Sequence, residues 1–69
     1  MATWAEKDVL IEVISNIVGS VAYTVDIDNP DVVALLRLQD KLYGMKPEEI
    51  DYEKELAFIK AKKAILIKE

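Results

Sequence analysis

The chain has 69 residues, with neither cysteine nor histidine, and a formal net charge of −4. Its length suits one small domain, and the two missing residue types exclude disulfides, thiol chemistry, Cys- or His-ligated metal and the commonest general base. The acidic balance, with a pI near 4.7, works against a phosphate backbone as partner, while a hydrophobic content of 52% is more than one thin three-helix core can hide.

The first helix opens on Thr3 and Glu6, the spacing of a capping box, and the pattern carries it to Gly19-Ser20. Val9, Leu10, Ile11, Val13, Ile14, Ile17, Val18 and Val21 cover more than half of its circumference. A surface helix needs an apolar stripe of only about 100°, so this helix is expected at the centre of an assembly. Lys7, Asp8 and Glu12 interrupt the stretch, which falls short of the roughly 18 apolar residues of a membrane span. It also lacks the basic start and continuous apolar centre of a signal peptide. The expectation is no membrane and a cytoplasmic location.

In residues 22–29, Tyr23, Val25 and Ile27 alternate with Thr24, Asp26 and Asp28, the period of a strand. A lone strand finds no partner inside a three-helix monomer, so the segment reads as an extended connector, with a strand formed across subunits as the minor option. The second helix starts on Asn29 as cap, Pro30 in the first turn and Asp31 at the positive end of the dipole. Its core stripe is expected to be Val32, Leu35, Leu36, Leu42 and Tyr43, with Leu38 at the margin and Gly44 ending the helix in a left-handed conformation. Gln39 falls inside that stripe; its amide either reaches a backbone group or fixes register in an oligomer, as a single buried Asn does in coiled coils. The third helix is expected from Pro47 to Lys68, with acids early (Glu48, Glu49, Asp51, Glu53, Glu55) and lysines late (Lys60, Lys62, Lys63, Lys68), as the dipole favours. It carries two apolar faces: Tyr52, Leu56, Ile59 and Leu66 on one, Phe58, Ala61 and Ile65 beside Ala57 and Ala64 on the other.

The run from Asp26 to Asp31 invites a calcium loop, but Asp31 stands where an EF-hand needs Gly and Arg37 where it needs Glu. Capping of the second helix accounts for these acids better. No Gly-rich phosphate loop exists, no serine has a histidine to activate it, and Glu12 projects into the polar strip of its helix. Catalytic, cofactor and metal residues are therefore all expected to be none, and the protein is expected not to be an enzyme. Leu38, Leu42, Gly44 and Ile50 match a helix-turn-helix in spacing, yet Asp40 sits where the two helices must pack closely and the second helix would present its acids to DNA.

The expected fold is all-α: a small three-helix bundle, a single helical domain over 1–69 with helices over about 3–20, 30–43 and 47–68, that dimerises or forms a higher oligomer. Its interface is expected at Trp4, Leu10, Ile11, Ile14, Ile17, Val18, Phe58, Ala61 and Ile65. The expected function is an acidic protein–protein interaction module, acting as regulatory adaptor, inhibitor or assembly subunit, with itself and another protein as partners. The alternative is a helix-turn-helix-like nucleic-acid-binding accessory protein using residues 38–55 and the C-terminal lysines. Of the aromatic residues, Tyr43 and Tyr52 read as closing the core, and Trp4 as the better contact residue.

Overall fold

A computed structural model describes residues 1–67. Three helices pack in pairs around one core: α1 (Trp4–Ser20), α2 (Pro30–Gly44) and α3 (Tyr52–Leu66). Among the described residues there is no strand, and no helix is long and apolar enough to cross a membrane.

The caps set the helix starts. Before α1, the Thr3 amide donates to the Glu6 carboxylate at 2.9 Å, and the Glu6 amide donates to the Thr3 hydroxyl at 3.1 Å. Asn29 Oδ1 accepts from the amides of Asp31 (2.9 Å) and Val32 at the head of α2. Each bond satisfies a donor that the first helical turn leaves open.

The core is one cluster: Leu10, Ile14 and Ile17 from α1, Leu35, Leu38 and Leu42 from α2, Ile50 from the second connector and Ile59 from α3. Within α1 and α2 these residues recur at three- and four-residue spacings, the stripe of a helix with one face turned inward.

Four sequence expectations need correction. The third helix is not continuous from Pro47. Pro47–Glu49 form a 3-10 turn, after which Ile50 is extended (φ −95°, ψ 128°) and fully buried. Asp51 then caps α3 by accepting from the Lys54 amide at 3.2 Å. Burying Ile50 in the core bends the chain out of helical conformation, and Asp51 restarts it.

The stripe of α2 is also turned: Leu38 lies in the core, Leu36 is half-buried and Tyr43 is 63% exposed. Contact with α1 on one side and α3 on the other sets that rotation. Residues 22–29 are not an extended strand. Backbone bonds from Thr24 and Val25 to the Val21 carbonyl (3.1 and 3.0 Å), and from Asn29 to Asp26 (3.0 Å), fold them into successive turns. Tyr23 and Ile27 consequently point into solvent.

Finally, Gly44 has no positive φ. The end of α2 is closed instead by Lys7 of α1, buried to 8% exposure, whose ammonium donates to the carbonyls of Met45 (2.7 Å) and Tyr43 (3.5 Å). A cation at a helix C-terminus supplies both hydrogen bonds and favourable dipole electrostatics. Because Gly44 is helical and a Cβ there would meet nothing within 4 Å, Gly44→Ala is expected to stabilise the chain by about 0.5–1 kcal/mol, read as a rise in Tm.

Candidate protein-interaction surface

The structure divides the nine expected interface residues in three. Leu10, Ile14 and Ile17 lie inside the chain's own core and, in this fold, have no surface to offer a partner. Ile11 and Val18 are half-buried, packed on the flank of that core. Trp4, Phe58, Ala61 and Ile65 face solvent, with Trp4 at 67%, Phe58 at 38% and Ile65 at 52% exposure. Most of the apolar breadth of α1 is therefore taken up within the chain, where α2 and α3 both pack on it, while Val9 stays 43% exposed.

The outer face of α3 is different. Ile59 is the one fully buried residue of this helix among those described, and the side opposite carries Ala57, Phe58, Ala61, Ala64 and Ile65, all exposed. Seven residues separate Phe58 from Ile65, two helical turns, so the two large side chains stand on one line with the alanines beside them. Lysines border this face, and between Leu56 and Ile67 the sequence has no acid. Lys62 lies at its edge. Its ammonium is 5.5 Å from the Phe58 ring centroid and pairs with Asp31 at the head of α2 at 2.8 Å, each side chain being 24% exposed. This half-buried pair sets α3 against α2 and gives Asp31 a role beside its place in the first turn of the helix.

Two lesser features lie at the ends of the bundle. Trp4 stands over the Lys7 ammonium, 5.3 Å from the ring centroid to Nζ, beside the exposed Tyr43 whose carbonyl Lys7 also meets. At the other end, Val18, Val21, Val25, Ile27 and Val32 line a cavity of about 140 Å³.

Gln39 makes its bonds within the chain, to the Ile11 carbonyl at 3.2 Å and the Ser15 hydroxyl at 2.7 Å. The first of its two sequence readings, an amide that reaches a backbone group, describes these bonds. Lys7 is the residue that sequence reading missed. Its signal was its spacing, for Lys7, Leu10, Ile14 and Ile17 share one stripe, so a cation three residues before a core leucine faces inward. Between α2 and α3 the connector runs from Met45 to Asp51 and contains a turn of its own, longer than the three or four residues that join the helices of a helix-turn-helix. Comparison of the chain with protein-family models, with curated proteins and with solved structures finds no match.

Proposed function

We propose that this chain is a protein-interaction module without catalysis of its own, a regulatory adaptor, inhibitor or assembly subunit that works through the outer face of α3. One observation carries the reading: Phe58 and Ile65 stay exposed on a line of alanines in a chain whose remaining large apolar side chains on α3 face inward. A contiguous apolar strip rimmed by charged side chains is the surface that protein contacts use, with aromatic residues dominating the energy. The 13 acids of the chain lie mostly outside this strip and keep the rest of the surface solvated.

A photo-crosslinking residue introduced at Ala61, compared with one at the exposed Asp40 of α2, tests the reading in cells that express the protein. Crosslinked protein is expected from position 61 and little from position 40. Equal yields, or none from position 61, would remove the basis for assigning the face to protein contact.

A further inference from the structure

We infer that the cavity between the end of α1 and the start of α2 holds one aliphatic side chain of a basic peptide segment, a leucine or isoleucine next to lysine or arginine. The site is separate from the outer face of α3 and does not depend on the function proposed for that face. Val18 and Val21 stand at the end of α1, Val32 in the first turn of α2, and Val25 and Ile27 on the turns between them. Backbone bonds from Thr24 and Val25 to the Val21 carbonyl tie those turns down over the end of α1. A dry cavity of roughly 150 Å³ takes a group the size of benzene. This one, of about 140 Å³ and partly open to solvent, is walled by branched aliphatic groups, with Asp26 its one polar side chain. It therefore suits a single aliphatic side chain.

Charge selects the segment that carries it. Asp26 continues from the cavity into a shallower depression shared with Thr24, Asp28 and Asn29. Both aspartates are exposed, and neither pairs with a cation among the described residues, where the one ion pair is Lys62–Asp31. From Asp8 to Leu36 the sequence holds five acids and no lysine, arginine or histidine. A basic segment is attracted to this end of the bundle and an acidic one repelled. Adjacent residues of an extended peptide are about 3.5 Å apart, and a lysine stem is long and flexible. A cation one residue from the inserted side chain can therefore reach the carboxylates. Tyr23 and Ile27, exposed on the same loop, give the peptide further apolar surface to lie on.

The test is an NMR titration of the full chain with the peptide acetyl-Lys-Leu-Lys-amide, reading backbone amide shifts. One inserted side chain and two exposed charges give weak binding, with a Kd of about 1–10 mM. Saturable shifts are expected at residues 18–32, which hold the cavity and the depression, and little change on the outer face of α3. Acetyl-Lys-Ser-Lys-amide lacks the aliphatic side chain and acetyl-Glu-Leu-Glu-amide reverses the charge; each is expected to bind about fivefold more weakly or worse. Asp26→Asn combined with Asp28→Asn, both on the surface, should leave the rest of the spectrum unchanged and weaken the Lys-Leu-Lys peptide by about fivefold. No saturable shift by about 20 mM overturns the inference. An equal response to all three peptides, a response centred on α3, or indifference to the aspartate exchange overturns it as well.

Discussion

Ile14→Glu is expected to leave no folded chain at 25 °C. Ile14 has no solvent exposure and lies in the middle of the α1 contribution to the core, between Leu10 and Ile17. A carboxyl group there has no partner: transferring even a neutral polar group into such a site without a hydrogen bond costs about 2–7 kcal/mol, and an ionised one more. A domain of this size has a total stability of about 3–5 kcal/mol, so the substitution consumes all of it. Ile14→Val, which removes one methylene, should cost only about 0.5–1.5 kcal/mol and leave a cooperative transition. Far-ultraviolet circular dichroism separates the cases. A helical spectrum retained by the Glu variant would mean that α1 is not gripped by α2 and α3 as described.

The second large effect is expected at Lys7. Lys7→Met keeps the length and most of the packing of the stem but removes the ammonium that holds the Met45 and Tyr43 carbonyls at the end of α2. Losing a charged donor to these partly buried acceptors costs about 1–3 kcal/mol, which in a chain this short lowers Tm by about 4–8 °C per kcal/mol. Lys7→Glu should be worse, since it sets a carboxylate against two carbonyl oxygens and the negative end of the α2 dipole. Thermal melts of the two variants beside the parent measure the difference. Equal melting temperatures for the parent and Lys7→Met would show that water closes the end of α2 as well as the lysine does.

The sequence was legible where its signals are local. The Thr3–Glu6 box and the Asn29-Pro30 start each involve neighbours within a few residues, and the structure places both caps as the spacing implies. The three-helix architecture follows from the same periodicities. What the sequence hid depends on residues far apart in the chain. The burial of Ile50 breaks a run from Pro47 that otherwise reads as a helical first turn, and among five nearby acids nothing marks Asp51 as the new cap. The rotation of α2 that exposes Tyr43 and buries Leu38 is set by neighbours on both sides. Gly44 looked like a left-handed terminus because the lysine that replaces that device lies 37 positions earlier, at residue 7. For the candidate site, the outer strip of α3 was visible as a second apolar face. The similar excess on α1 did not foretell exposure: Leu10, Ile14 and Ile17 lie in the core, and Ile11, Val13 and Val18 pack against its flank.

The unequal share of the core also ranks the helices by how readily they detach. α1 and α2 supply six of the eight residues in the buried cluster and are tied across their faces by Gln39 and across their ends by Lys7. α3 supplies one fully buried residue, Ile59, with Tyr52, Leu56 and Leu66 partly buried against the cluster and the Lys62–Asp31 pair joining it to α2. Local opening that releases α3 therefore exposes less apolar surface than separating the other two, and sub-global unfolding of this kind needs less free energy than unfolding the whole chain. α3, which leaves Phe58 and Ile65 exposed, is therefore the helix expected to open first, read as faster hydrogen exchange of its amides than of those in α1 and α2.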